Sequence, residues 1–161
     1  MRGTIAAVLA AMALALAAGC DGGDGDGDEG SALTRTEFAQ KANALCKEAA
    51  ADRQTVISGI DPEAPGPEQA EQLAEIVDID QNLLEEVDDL VPPDADQDTV
   101  DQLLDQWRER IDLEDQLREA TANDDAGEVS ALQGQVQAVD GRANPIAGAL
   151  LLNECTRGET A

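Results

Sequence analysis

Four stretches of the chain carry apolar side chains at intervals of three or four residues, and short breaks rich in proline, glycine or aspartate separate them. That interval is typical of an amphipathic helix, whereas a half-buried strand alternates apolar and polar residues. No segment after residue 33 has the alternation of a strand. We therefore predict an all-α fold, an antiparallel four-helix bundle, because amphipathic helices joined by short connections bury their apolar faces in that arrangement.

The first predicted helix begins at Thr34. Thr34 and Glu37 have the spacing of a capping box, and Leu33 and Phe38 have that of a hydrophobic staple. We expect the helix to end near Gly59, because the sequence GIDPEAPGP that follows contains three prolines and has a loop composition. The apolar face consists of Phe38, Ala42, Leu45, Ala49 and Val56, with Cys46 at one edge.

Prolines and acidic segments delimit the other helices. Pro67 suits the first position of the second helix, where a missing N–H costs nothing, and Pro92 and Pro93 end that helix. The segment DADQD offers N-caps for the third helix, TANDDAG ends it, and Pro145 kinks or interrupts the fourth. The three apolar faces are Leu73, Ile76, Val77, Leu83, Leu84, Val87, Leu90 and Val91; Val100, Leu103, Leu104, Trp107, Ile111 and Leu117; and Val129, Leu132, Val136, Val139, Ala143, Ile146, Leu150 and Leu151.

The chain begins MRGTIAAVLAAMALALAAGC, with one basic residue before an uncharged, alanine-rich stretch. This is the pattern of an export signal over residues 1–19, and it is too short and alanine-rich for a good membrane span. Its end resembles the lipobox of bacterial lipoproteins, although leucine is preferred where Ala17 stands. The resemblance implies cleavage before Cys20, a diacylglycerol on its thiol, and a lipid anchor on the extracytoplasmic face of the cell membrane. The alternative is an ordinary export signal with Cys20 as a free thiol.

Residues 20–33 form a spacer between this signal and the predicted bundle, residues 34–161. Its sequence DGGDGDGDEGSA combines flexible glycines with aspartates that repel one another, so it has nothing to bury. A calcium loop of the EF-hand type requires Gly at its sixth position and Glu at its twelfth, where a count from Asp24 finds Glu29 and Arg35. We therefore interpret the segment as a flexible acidic tether.

The chain has three cysteines, and lipidation of Cys20 leaves an even pair, Cys46 and Cys155. In an exported protein such a pair is expected to form a disulfide. In an up-down-up-down bundle the first helix and the end of the fourth are neighbours, which would bring these two residues together. Two free thiols are the alternative, and a zinc site would be incomplete because the chain has no histidine.

The balance of 10 basic and 35 acidic residues gives a net charge of −25. Such a chain repels nucleic acid and anionic lipid head groups, so an electrostatic partner should be a cation or a cationic protein. The absence of histidine removes imidazole bases and the commonest metal ligand. We therefore predict no enzymatic activity, no catalytic residue, no metal site and no cofactor.

A few charged residues occupy helical positions where apolar residues are expected. Asp80 lies between Leu73 and Val87 on the helical wheel, Glu114 and Arg118 lie within the Trp107 stripe, and Arg53 lies on the core side of the first helix. One hypothesis joins Arg53, Asp80, Glu114 and Arg118 in a buried ionic layer that forms a polar site. The alternative hypothesis is that these residues form ion pairs that fix the register of the helices, or lie at the edge of the core with their charged groups in water. Trp107, spaced between Leu103 and Ile111, is predicted to be a core residue.

From Leu33 to Cys155 the chain resembles small secreted lipoproteins of high-GC Gram-positive bacteria whose function is uncharacterised. The resemblance rests on LTRTEFAQKANALCKEA, on VPPDAD and on the late Cys155, and it implies half-cystine roles for Cys46 and Cys155. Two functions are thus expected. The first is a non-enzymatic, lipid-anchored interaction or structural module of the cell envelope, and the alternative is a low-affinity binding protein for a cation or cationic partner.

Overall fold

The computed structural model describes residues 32–158, and these form four helices and a short 3-10 turn, with no strand among them. The helices are α1 (Arg35–Gly59), α2 (Gly66–Asp88), α3 (Gln97–Ala122) and α4 (Ala126–Ala149), and the turn η1 is Asn153–Cys155. The predicted antiparallel four-helix bundle is thus confirmed. The proposed signal, Cys20 and all but the last residues of the tether lie outside the described residues.

The start of α1 is the one that the sequence predicts. Thr34 is the N-cap and forms a capping box with Glu37, whose carboxylate accepts a hydrogen bond from the Thr34 backbone N–H at 2.9 Å. Phe38, one turn in, is almost completely buried. The backbone N–H of Leu33 donates to the carbonyl of Val91 at 2.9 Å, which ties the entry of α1 to the α2–α3 connection.

The starts of α2 and α3 differ in detail from the prediction. The first residue of α2 is Gly66, so Pro67 occupies the second helical position. Asp96 precedes α3 as its N-cap, but its carboxylate does not cap the helix. It forms a two-pronged ion pair with Arg35 instead, in which Arg35 Nε lies 2.7 Å from Asp96 Oδ2. The hydrogen bonds from Arg35 hold the pKa of Asp96 below its usual range.

Pro145 does not interrupt α4, which continues through it to Ala149. The chain then reverses at Leu151, whose φ of 63° is unusual for a residue with a side chain. Leu150, Leu152 and Cys155 are all buried, so residues 150–158 pack back against the helices. We call these residues the C-terminal segment.

The bundle interior contains two separate apolar clusters. The larger, proximal cluster surrounds Phe38, Leu83, Leu103 and Trp107, and it confirms the prediction that Trp107 is a core residue. The smaller, distal cluster joins α3 to α4 through Leu113, Ala120, Leu132 and Val139.

The C-terminal segment closes the bundle between its first and last helices. Each helix packs on the next one in sequence, and α1 also contacts η1 rather than α4 itself. Cys46 of α1 and Cys155 of η1 form a disulfide with a Cα–Cα distance of 5.0 Å. The predicted pairing is therefore present, but the neighbour of α1 is the segment after α4. Within residues 32–158, no helix is long and apolar enough to cross a membrane.

Candidate functional site

A layer of charged side chains crosses the bundle between the two apolar clusters. Along α3 the proximal cluster includes Leu104 and Trp107, Arg110 follows, and Glu114 comes directly after Leu113, where the distal cluster begins. Every helix and the C-terminal segment contribute to this layer. Its members, which we call the ionic layer, are Arg53 of α1, Asp80 of α2, Arg110 and Glu114 of α3, Asp140 of α4 and Arg157.

Asp80 is the centre of the ionic layer, and its side chain is only 2 % exposed. Its Oδ2 accepts hydrogen bonds from Arg110 Nη1 at 2.7 Å and from Arg157 Nη1 at 2.8 Å. Its Oδ1 accepts one from Arg157 Nη2 at 2.7 Å, and Arg53 Nη1 lies 3.7 Å away. A buried carboxylate requires such compensation, because an unpaired charge in the interior is strongly destabilising.

Arg110 links the remaining carboxylates of the layer. Its Nη2 lies 2.8 Å from Glu114 Oε1, and its Nε lies 2.9 Å from Asp140 Oδ1. The second of these contacts is an ion pair without good hydrogen-bond geometry, because Arg110 Nε has no hydrogen-bond partner among the described residues. Desolvation acts to lower the pKa of Arg110, but the surrounding carboxylates raise it above its ordinary value.

Glu114 is the least compensated member of the layer. Its Oε2 is buried without a hydrogen-bond partner among residues 32–158, and its other contact, with Arg53 Nη2, spans 4.0 Å. Burial raises the pKa of Glu114 to about 8, because desolvation and the negative charge of Asp80 outweigh the attraction of Arg110. Glu114 is therefore a buried group that changes charge near neutral pH.

Two asparagines place Arg157 in the layer. Asn43 of α1 donates to the carbonyl of Leu151 and accepts from the N–H of Glu154, both at 2.9 Å. Asn144 of α4 donates to the carbonyl of Arg157 at 2.7 Å and accepts from its N–H at 2.9 Å. These paired contacts and the disulfide fix the C-terminal segment, so that the Arg157 guanidinium reaches Asp80.

The structure brings together three of the four residues in the hypothesised layer and excludes the fourth. Arg53, Asp80 and Glu114 meet, but Arg118 is partly exposed and pairs with Asp115 and Glu119 on its own helix. The inward positions of α3 recur every seven residues, at Val100, Trp107 and Glu114, with others three residues after each. Arg118 follows the buried residues Leu104 and Ile111 at seven-residue intervals, so its spacing indicates an inward position that its guanidinium does not take.

Three members of the layer were absent from the sequence hypothesis. Arg110 follows Trp107 by three residues and fits the seven-residue repeat, so that signal was available in the sequence. Asp140 lies next to buried Val139, and its exposure is only intermediate. Arg157 lies beyond the last helix, and no periodicity marks it.

The ionic layer has little room for a ligand. The cavity among Asp80, Trp107, Arg110 and Arg157 measures about 10 Å³, roughly the space for one water. The carboxylates of the ionic layer face arginines within the core. This arrangement is typical of a structural network, whereas a catalytic acid and base would face a space for the substrate. No group of three or more metal-ligating side chains with suitable geometry occurs within the described part of the chain.

A larger cavity of about 370 Å³ lies near the distal cluster. Its walls come from the α1–α2 connection, the first turns of α2, the end of α3 and the start of α4. Gly66 permits a close approach here, because a Cβ at this position would lie 2.2 Å from the carbonyl oxygen of Thr121. We call this space the distal cavity.

Comparison with known proteins finds no matching family model, no similar curated protein and no similar solved structure.

Proposed function

We propose that this protein is a lipid-anchored, non-enzymatic module of the cell envelope, held through Cys20 on the extracytoplasmic face of the membrane. The apolar stretch that ends at Ala17, Ala18 and Gly19 supports the anchor, because small residues before a cysteine are the features of a lipoprotein signal. The tether of glycine and aspartate residues, if fully extended, would span roughly 40 Å between the anchor and the bundle.

The disulfide is the observation that carries this proposal. Cys46 and Cys155 pair with each other, so Cys20 is the one cysteine of the three that this bond does not use. Disulfides persist in extracytoplasmic compartments and are rare in a reducing cytosol. The bond therefore supports export, and the position of Cys20 at the end of the apolar stretch supports its use as the attachment point.

The ionic layer supports a structural rather than a catalytic role for the buried charges. Asp80 is matched by Arg110 and Arg157 at hydrogen-bond distance, and the distal cavity is lined by neither Asp80 nor Glu114. Catalytic carboxylates instead lie beside the space that a substrate occupies. We infer that the layer serves the stability and alignment of the helices.

A second candidate function is loose binding of a cation or cationic protein to the acidic surface. A groove of about 190 Å³ between α1 and α2 favours it, because Glu48, Asp52 and Glu86 line that groove and no basic residue among those described does. The net charge of −25 strengthens the attraction of any cationic partner and makes it sensitive to salt.

The lipid anchor is tested by Cys20→Ser in the native host. We expect the wild-type protein to partition into detergent with its mass raised by a diacylglycerol, and the variant to lose both properties. Cys46→Ser is the matched control, because it removes a different thiol and should leave the lipid in place. A Cys20→Ser protein that is still lipidated would refute the proposal.

A further inference from the structure

We propose that the distal cavity binds a small amphipathic amine, with its apolar body inside the cavity and its ammonium group at Asp124. This activity goes beyond the envelope module proposed above and does not depend on the lipid anchor. The proposal is based on the size of the cavity, its apolar walls and the single charge at its edge.

The walls of the distal cavity suit an apolar ligand body. Ile60 precedes α2, Leu73 belongs to α2, Leu117 to α3 and Val129 to α4, so aliphatic side chains surround the space from several elements. None of these four side chains is fully buried, which leaves apolar surface that a ligand would remove from water. A volume of about 370 Å³ lies within the usual range of small-molecule sites.

Charge selects the amine among amphipathic molecules. Among residues 32–158, Asp124 is the only charged residue that lines the cavity, and no lysine or arginine of this range lines it. Its neighbour Asp125 caps α4 by accepting a hydrogen bond from the Glu128 N–H at 3.0 Å, whereas Asp124 lies beside Gly66 at the cavity. A ligand carboxylate would meet the Asp124 charge and the field of a strongly acidic protein, so the same body with an anionic head is disfavoured.

The backbone around Asp124 is adapted to this placement. Asp124 has a φ of 54°, a left-handed conformation that aspartate and asparagine tolerate better than most residues. The absence of a Cβ at Gly66 leaves room for Asp124 Oδ1, which lies 2.5 Å from where that carbon would be. Asp124→Asn is therefore a substitution that removes the charge and keeps the conformation.

The distal cavity lies far from the point where the described chain enters α1. Ile60 follows the last residue of α1, whereas the tether joins the first, and 25 residues of helix span roughly 37 Å. The cavity is therefore at the end of α1 opposite the one where the described chain begins.

The test uses calorimetry on the chain from Ser31 to Ala161, which contains all described elements, with butyl-, hexyl- and octylammonium as probes. We expect one site per molecule and an affinity that rises roughly fourfold for each added methylene until the cavity is full. Octanoate, which has the opposite charge, should bind much more weakly. Equal affinity for octylammonium and octanoate, or the absence of binding by every amine, would overturn the proposal.

Variants then locate the bound amine. Asp124→Asn should weaken octylammonium binding roughly three- to fivefold, as expected for an exposed ion pair. Asp101→Asn removes one exposed carboxylate near the start of α3 and serves as the control for net charge. Val129→Phe should fill the cavity and abolish binding while circular dichroism shows an intact bundle. Equal effects of the two aspartate variants, or full binding by Val129→Phe, would show that the amine binds elsewhere.

Discussion

At the level of single residues, the chain has few basic side chains, and several of them lie in the interior of the bundle. Three of its ten basic residues, Arg53, Arg110 and Arg157, belong to the ionic layer. Arginine suits this role because it keeps its charge when buried and offers five donors in a fixed geometry. The result is a layer of three guanidinium and three carboxyl groups, and burial raises the pKa of one of these carboxyls, Glu114, to about 8.

Glu114 should make the protein less stable as pH rises. Its folded-state pKa of about 8 lies above its unfolded value of 4.5, so its contribution is fully present below pH 4.5 and is lost as pH rises toward 8. The loss is on the order of 4 kcal/mol. Glu114→Gln should flatten this slope in denaturant unfolding between pH 5 and 8, whereas Glu75→Gln on the surface should not. Identical slopes for the two variants would contradict this account.

Sequence reasoning located some of these residues and missed others for a physical reason. Asp80 and Glu114 could be found because a charge at a core position stands out against apolar neighbours. Arg118 was wrongly included because it continues the buried series Leu104 and Ile111 at seven-residue intervals, and spacing alone does not show where its guanidinium ends. In the structure that group pairs with carboxylates of its own helix. Arg157 could not be found, because its place depends on a chain reversal and on asparagine contacts distant in sequence.

At the scale of elements, the four helices were predictable from periodicity and caps, but the C-terminal segment was not. The sequence extends the apolar pattern of α4 through Leu150 and Leu151, whereas the helix ends at Ala149 and Leu151 reverses the chain. Asn43 and Asn144 then satisfy the backbone of this segment in place of secondary structure. Hydrogen bonds of this kind join side chains to backbone groups that are distant in sequence, so no local sequence pattern predicts them.

The disulfide should contribute strongly to stability, since it closes a loop of 109 residues. Chain entropy predicts a contribution of about 4 to 5 kcal/mol. Replacing Cys46 and Cys155 by serine should therefore lower the melting temperature by roughly 10 °C or more. Thiol titration of unfolded, unreduced Ser31–Ala161 protein checks the bond itself: no thiol should react, and two reactive thiols would refute it.

Loss of the disulfide should also weaken the ion pair between Arg157 and Asp80. Arg157→Ala should destabilise the oxidised protein by several kcal/mol, because it removes two hydrogen bonds from a buried carboxylate. The same substitution should cost less in the Cys46→Ser/Cys155→Ser protein, where the segment is released more readily. A double-mutant cycle from denaturant unfolding measures this coupling, and strict additivity would show that the two features act independently.

Gly66 should be essential to the packing of α2 against the end of α3. Gly66→Ala places a methyl group against the Thr121 carbonyl, a backbone atom that cannot move aside easily, and should destabilise the bundle. Gly134→Ala on α4 is the matched control, because nothing lies within 4 Å of its added carbon. That control should stabilise the helix by about 0.5–1 kcal/mol. Thermal unfolding of the two variants should give shifts of opposite sign.

For the molecule as a whole, the large negative charge affects both its stability and its association with charged partners. The described acidic side chains are mostly exposed, and they repel one another in the folded state. Salt should therefore stabilise the protein by screening. A cationic partner should associate faster at low ionic strength for the same reason.

Calcium should bind this surface only loosely, in roughly the millimolar range, because exposed carboxylates without a preformed cage bind weakly. We expect calorimetry with calcium, magnesium and zinc to give weak heats with no sharp stoichiometry. The melting temperature in calcium should match that in sodium chloride of equal ionic strength. A stoichiometric micromolar site would instead favour the cation-binding function.

The ionic layer divides the bundle into two ends that should differ in local stability. The proximal cluster is held by α1, the disulfide and the C-terminal segment, whereas the distal cluster joins only α3 and α4. Segments with fewer buried contacts open at lower free energy than the whole domain. We therefore expect the amides around Leu132 to exchange with solvent through partial opening, and those around Leu103 to exchange only when the whole bundle unfolds. The end of the bundle that carries the distal cavity should accordingly open at lower free energy than the end that carries the disulfide.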